Sequence, residues 1–183
     1  SGESSDTRDM LSMVIQCAQY KVREIEEEES SVSLRDVKRA IDLVHWFNTV
    51  VLKVKRGKKV NLERKFEAAT ILGISFVYYF RLGSSYERTS FWNYVSSQFS
   101  INASKRVKNT FKFVSSRSAA EEQLQKFQKD FCKHFVVEDG IAMNDALMEN
   151  LFVTVICILN RIPIFVVGKP GPSKTLTMQA IAN

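Results

Sequence analysis

Eight residues near the end of the chain have types and spacing that could do chemistry: Gly168-Lys169-Pro170-Gly171-Pro172-Ser173-Lys174-Thr175. They come after an apolar run of strand length, Ile162-Pro163-Ile164-Phe165-Val166-Val167, and precede a helical pattern from Leu176 to Ile181. A strand, a small-residue loop and a helix opening on Lys-Thr make the layout of a phosphate-binding loop. In such a loop, backbone N–H groups cradle phosphate oxygens, the lysine reaches the terminal phosphates and the hydroxyl binds Mg²⁺. Gly168 would turn the chain sharply out of the strand, and Gly171 would let backbone approach phosphate with no Cβ in the way. Lys169 and Ser173 complete the candidate nucleotide-binding set. Lys174 would neutralise β- and γ-phosphate charge, and Thr175 is the candidate Mg²⁺ ligand.

One position departs from G-x-x-x-x-G-K-[ST]: Ser173 stands where the second glycine belongs. Serine keeps the N–H but needs an unstrained backbone, which weakens the case for tight nucleotide binding. The plain alternative is a Gly/Pro turn that happens to precede Lys-Thr. The apolar strand before it and the helical pattern after it favour the phosphate site. A parallel strand needs neighbours supplied by later βα units, and none come after it in this sequence. The reading therefore expects a piece of a larger protein, cut as a nucleotide-binding domain begins.

The totals fit a soluble globular chain. The 183 residues allow one large domain, or a domain plus a fragment, and 45% hydrophobic content with thirteen Phe supports a core. The formal charge of +6 is spread out, with acidic Glu26–Glu29 near basic Lys53–Lys59, so it reads as solubility rather than a binding stripe. Cys17, Cys132 and Cys157 lack C-x-x-C spacing and sit in apolar helical patterns, which points to buried free thiols in a reducing compartment. They cannot form a zinc site with only His45 and His134 available. Neither Leu151–Leu159 nor Ile71–Phe80 is long enough to span a bilayer. A cytoplasmic protein with no membrane span is the expectation.

Upstream of the loop, no proline occurs before Pro163, and apolar residues recur at helical spacing. The pattern predicts helices over about 7–27, 34–54, 62–82, 87–99, 119–135 and 143–160. Met10, Met13, Val14, Cys17 and Ala18 form the inner face of the first, where Glu26–Glu29 oppose the dipole and should fray the end. Ser33 and Asp36 read as a capping box for the second, with Leu34, Val37, Ile41, Val44, Phe47 or Asn48, and Val51 on one face. Ile71–Phe80 is apolar nearly all round, as in a central helix, and Gly73 suits close approach of a neighbour. Phe91, Trp92, Val95 and Phe99 point inward, as do Leu124, Phe127, Phe131 and Phe135. The stretch 101–116 fits either a helix or, at Phe111–Val114, extended chain. The predicted fold class is mostly α: a helical lid or bundle, then the first β-strand, P-loop and helix start of a truncated α/β domain.

The segments Leu147-Met148-Glu149-Asn150-Leu151-Phe152-Val153, Cys157-Ile158-Leu159-Asn160-Arg161-Ile162-Pro163 and Val166-Val167-Gly168-Lys169-Pro170-Gly171 carry a family likeness. They resemble the mysterin-type giant AAA+ RING-type E3 ubiquitin ligases, whose Walker A has the form Gly-Lys-Pro-Gly-x-Ser-Lys. On that likeness Ser173 is a family trait and Pro172, which removes one N–H from the phosphate nest, is the local departure. Ser33-Leu34-Arg35-Asp36-Val37-Lys38-Arg39 is similar to the lid-helix motif of such AAA+ proteins. The resemblance implies that Arg35, with Arg39 as the weaker candidate, is a second-sensor arginine reaching a γ-phosphate; two solvated arginines are the plain alternative.

Because a P-loop precedes its lid in an AAA+ unit, Arg35 would serve one nucleotide and Lys174 the next. The implied domains are 1–60, the lid of one unit; 61–140, a connecting helical insert; and 141–183, the start of the next unit. ATP and Mg²⁺ are the implied cofactors, with zinc confined to a RING elsewhere in the parent. The implied partners are nucleotide, the remaining AAA+ units and the ubiquitin machinery. With no Walker B carboxylate after Thr175, this chain alone is expected not to hydrolyse ATP. A second class of function is a helical protein-interaction module with a vestigial P-loop. Nucleic-acid binding through Lys53–Lys59 and Lys105, Arg106, Lys108 and Lys112 is weaker, since no aromatic residues interleave for stacking.

Overall fold

Helical periodicity dominates the fold. A computed structural model describes residues 5–51, 61–135, 142–165 and 172–182, the side chains of residues 51, 172 and 173 excepted. Among these residues there are eight α-helices: α1 (Ser5–Glu26), α2 (Leu34–Trp46), α3 (Leu62–Ile74), α4 (Ser85–Asn102), α5 (Lys105–Thr110), α6 (Arg117–Cys132), α7 (Asp145–Leu159) and α8 (Pro172–Ala182). Two π-helical turns extend α2 and α3 over Phe47–Val51 and Ser75–Tyr79. The mostly α expectation holds. The expected strand is not seen: Ile162–Phe165 forms no strand, and Val166–Val167 lie outside the described residues. A strand satisfies its backbone only beside another strand, and none is described here.

The chain divides into two compact units, residues 1–124 and 125–183. In the first, α1 packs on α4, and α2 packs on α3. Asn61 starts α3 by accepting from Arg64 N–H, and Ser84 with Glu87 forms a reciprocal capping box on α4. Phe91, Trp92, Val95 and Phe99 are all buried, as their spacing predicts. So is the face of α1 that carries Met10, Val14 and Ala18, joined by Leu11, Ile15 and Val22. Lys21 lies on that same face. Its stem is covered while its ammonium reaches Glu24 at 2.9 Å and sits over the Tyr94 ring. The ambiguous 101–116 stretch resolves into α5 and then a turn over Phe111–Ser116.

The face predicted for α2 needs correction. Leu34 is 86% exposed, and the buried positions are Ala40, Leu43, Val44 and Phe47. The cause is Gly73 of α3. A Cβ on Gly73 would lie 2.6 Å from Val44 Cγ2, 3.0 Å from Val44 N and 3.3 Å from Ala40 O. The two backbones meet there, so α2 turns its small residues and Val44 toward α3. The π turn after α2 lies against α3 and the π turn after α3 lies against α2, so the pair is antiparallel.

Glu67 is buried on α3. Its Oε1 accepts from the backbone N–H groups of Phe113 (2.6 Å) and Val114 (3.0 Å), tying the turn after α5 to this helix. Burial pushes its carboxyl up to about 7, although both N–H groups and the Arg64 charge pull the other way.

In the second unit, Cys132, Leu151 and Ala180 form the buried centre, with Phe131, Phe135, Met143, Met148, Val155 and Ile181 around it. Phe152 meets Phe127 and Phe131 edge-on, with ring centroids 5.9 and 5.4 Å apart. The three cysteines are free; Cys132 and Cys157 are buried, and Cys17 is only half-buried.

Two outcomes are expected for stability. Gly73→Ala should destabilise the chain by about 1–3 kcal/mol in urea unfolding, because two of the three close atoms belong to backbone. Gly73→Ala in a Val44→Ala background should recover only part of that loss. Between pH 4.5 and 7, the folded chain holds a proton on Glu67 that the unfolded chain releases, so the Glu67 contribution to stability falls as pH rises. The wild type should lose up to about 3 kcal/mol across that window relative to Glu67→Gln, which keeps an acceptor for both N–H groups. Parallel slopes for the two proteins would refute the assignment.

Candidate functional site

In sequence, the candidate phosphate-loop residues run from the stretch after α7 into the start of α8. Asn144 caps α7, its Oδ1 accepting from Leu147 N–H at 2.9 Å. At the other end Arg161 has φ 54°, and its N–H bonds Ile158 O while Ile162 N–H bonds Cys157 O at 2.8 Å. This is a Schellman motif with arginine in the left-handed position that glycine usually takes. It turns the chain out of α7 into the apolar run ahead of the loop.

Gly168, Lys169 and Gly171 lie outside the described residues, and the side chain of Ser173 is likewise not described. Helix α8 begins at Pro172, four residues before the expected Leu176. Lys174, half-buried, and Thr175, exposed, therefore belong to its first turn. N–H groups without intrahelical partners and the positive end of the dipole lie in that turn, the setting in which a helix accepts phosphate. The residues fit a phosphate and its magnesium: a cation and an exposed hydroxyl, adjacent at a helix N-terminus. Pro172 holds the first helical position, where its fixed φ suits the helix and a missing N–H costs no intrahelical bond. α8 packs along α7, with Ala180 in the buried centre of the unit.

The arginine of the other candidate site lies in the first unit. Asp36 Oδ2 accepts from Ser33 N–H (2.8 Å) and Ser33 Oγ (3.0 Å), the return half of the predicted capping box. Arg35 is exposed in the first turn of α2 and has no charged partner among the described residues. Arg39 is half-buried and lies 3.9 Å from Asp36. Of the two, Arg35 is the uncommitted cation among the described residues.

The connector before α2 holds residues that sequence reasoning missed. Arg81 donates from Nε and Nη2 to the two carboxylate oxygens of Glu26 (2.8 and 2.9 Å), and from Nη2 to Ser31 O (3.0 Å). Arg23 donates to Glu29 O (3.1 Å) and Val32 O (3.0 Å), and Gln19 to Ser33 O (3.4 Å). Beneath them Tyr78 is buried, its phenol pushed up by desolvation and by Asp36. No signal in the sequence marked these residues, because four of the partners are carbonyls that any residue type provides and the carboxylate, Glu26, lies 55 residues from Arg81.

The family model described as the RNF213 AAA domain matches residues 140–183, a range that includes α7 and α8. The likeness is to RNF213-type ubiquitin ligases. The zebrafish (Danio rerio) E3 ubiquitin-protein ligase rnf213-beta is 28% identical over 96% of this chain. E3 ubiquitin-protein ligase RNF213 of Mus musculus is 29% identical and that of Homo sapiens 28%, each over 95% of the chain. The chain spans only 3% of the length of each of these relatives. No solved structure matches it. The RNF213 likeness thus covers nearly the whole chain, as the sequence motifs at its two ends led one to expect. Among the described residues no helix is long and apolar enough to cross a membrane, and no group of three or more His, Cys, Asp or Glu is arranged to hold a metal.

The Schellman turn ahead of the loop gives a direct test. Arg161→Gly should stabilise the chain by about 0.5–1 kcal/mol, the strain relieved outweighing the added freedom of the unfolded chain. A loss of stability on thermal unfolding would show that Arg161 makes contacts worth more than its backbone strain.

Proposed function

We propose that this chain is part of the ATP-binding AAA+ motor core of an RNF213-type E3 ubiquitin ligase. The observation that carries the reading is the RNF213 AAA match over 140–183, a range that includes the whole Gly168–Thr175 loop. In this reading residues 1–60 are the lid of one AAA+ unit, 61–140 a connecting helical insert and 141–183 the opening of the next. Gly168, Lys169, Gly171 and Ser173 cradle the phosphates of ATP, Lys174 neutralises their terminal charge and Thr175 holds Mg²⁺. Magnesium, when bound, would supply charge neutralisation of the β- and γ-phosphates. Arg35 is the second-sensor arginine of the preceding unit's nucleotide. Exposed Ile158, Leu159, Phe165 and Met178 give the second unit an open apolar surface, which supports an α/β domain completed by further strands. The neighbouring AAA+ units and the ubiquitin machinery are the proposed partners, and the cytoplasm the proposed location. Zinc belongs only to a RING outside this chain.

A second reading, a helical protein-interaction module with a vestigial P-loop, draws on Pro172 and Ser173 in the loop. Titration of a fluorescent ATP analogue against the chain extended by one complete α/β domain separates the two. The motor reading expects Mg²⁺-dependent binding that weakens by about tenfold or more in Lys174→Ala. No binding at all would favour the module. The chain by itself should show no steady ATP hydrolysis; turnover that Lys174→Ala abolished would overturn that expectation.

A further inference from the structure

The Glu26–Ser33 connector, which contains the 3₁₀ turn Glu29–Ser31 and buried Val32, is held by side chains from outside it. Glu29, Ser31, Val32 and Ser33 each give their carbonyl oxygen to a side chain from elsewhere: Arg23 takes two, Arg81 one and Gln19 one. Arg81 lies 50 residues from Ser31 in sequence and also forks onto Glu26 at the last turn of α1. Its guanidinium therefore fastens the end of α1 and the entry to α2 to the segment just after α3. Two residues past the last clamped carbonyl stands Arg35, exposed and without a charged partner among the described residues.

A planar fork of fixed N–H directions defines orientation in a way a point charge does not. Each clamped carbonyl removes a direction in which the connector could move, and the return half of the capping box ties Ser33 to Asp36. The first turn of α2 is thus fixed from both sides. A long, solvated arginine that must meet a phosphate loses less freedom on binding when its backbone is already held.

We infer that Arg81, with Arg23, is a positioning residue that sets the first turn of α2 so that Arg35 can engage a nucleotide γ-phosphate. The inference rests on the reading of Arg35 given above. Neither Arg81 nor Arg23 touches the nucleotide; they act through Arg35.

The test compares ATP and ADP affinities of the full-length protein carrying this chain, using fluorescent ATP and ADP analogues. The variants are Arg35→Ala, Arg81→Ala, Arg81→Lys and the Arg35→Ala/Arg81→Ala double, with thermal unfolding recorded in parallel. Arg35→Ala should lower the preference for ATP over ADP. Arg81→Ala should lower it by about fivefold with ADP affinity unchanged, and the double variant should be no worse than Arg35→Ala alone. Arg81→Lys keeps the charge but loses the fork, so it should match Arg81→Ala; it also decides the matter if Arg81→Ala does not fold. Wild-type preference in both Arg81 variants, beside a lowered preference in Arg35→Ala, would overturn the positioning role and leave the Arg35 reading intact. Equal loss of ATP and ADP affinity in the Arg81 variants would reduce Arg81 to a structural part and overturn the role as well, as would additive losses in the double variant. An unchanged preference in Arg35→Ala would instead remove the reading on which the inference stands.

Discussion

The backbone contact between α2 and α3 at Gly73 is the constraint on which the first unit depends. Val44 N would lie 3.0 Å and Ala40 O 3.3 Å from a Cβ at that position, so only hydrogen fits without a shift. This closeness selects the face that α2 presents, burying Ala40 and Val44 and leaving Leu34 outside. It also sets how the antiparallel pair continues, since each helix ends in a π turn that packs on the other. A π turn widens the helix by one residue and rotates the residues beyond it, which lets a helix keep contact where α-helical geometry would carry its face away. Phe47 from the first turn and Tyr78, with Val77, from the second are buried in the core.

Polar groups are settled around this apolar contact by reach rather than by neighbourhood. Glu67 extends from α3 to two N–H groups 46 and 47 residues away, and Arg81 extends to a carboxylate and a carbonyl 55 and 50 residues away. In each case an ionisable side chain satisfies backbone groups of an irregular segment that no helix ladder could serve. Glu67 does so from the interior at the cost of desolvation, which is why its proton is held well above the ordinary range. Arg81 does so near the surface, where its charge is shared with Glu26. The acidic run at the end of α1, expected to fray the helix, is absorbed in the same way. Arg81 takes Glu26, and the Glu28 carboxylate accepts from Ser30 N–H and Oγ to open the 3₁₀ turn.

Legibility in the sequence tracks the range of the physics involved. Phe91, Trp92, Val95 and Phe99 needed only the 3.6-residue period, and all four are buried. The capping residues Ser33 and Asp36 needed only three residues of context, and Asp36 bonds back to Ser33. Gly73 signalled a close neighbour, but which residues of α2 would meet it depended on a contact about thirty positions away, so the α2 face was misjudged at Leu34. The two π turns and the arginine clamp left no mark, since any residue can offer a carbonyl. At the phosphate loop, composition and order carried the motif and the family likeness. The start of α8 did not come with them: the helix opens at Pro172, four residues before the expected Leu176.

That proline also bears on how the loop could hold phosphate. In a nest of successive N–H groups each donor adds attraction, and Pro172 supplies none. Yet the first four N–H groups of a helix have no intrahelical acceptor, so the missing donor leaves the ladder of α8 whole. Pro172 in turn fixes its own φ at the first position of α8, so that position has less conformational freedom to surrender on binding. One donor of enthalpy is exchanged for a preset backbone. If the loop holds phosphate as proposed, the exchange would favour an anion large enough to draw on the remaining N–H groups, the dipole and the Lys174 charge together, over a small one that depends on every donor in the nest. A polyphosphate meets that condition better than inorganic phosphate does.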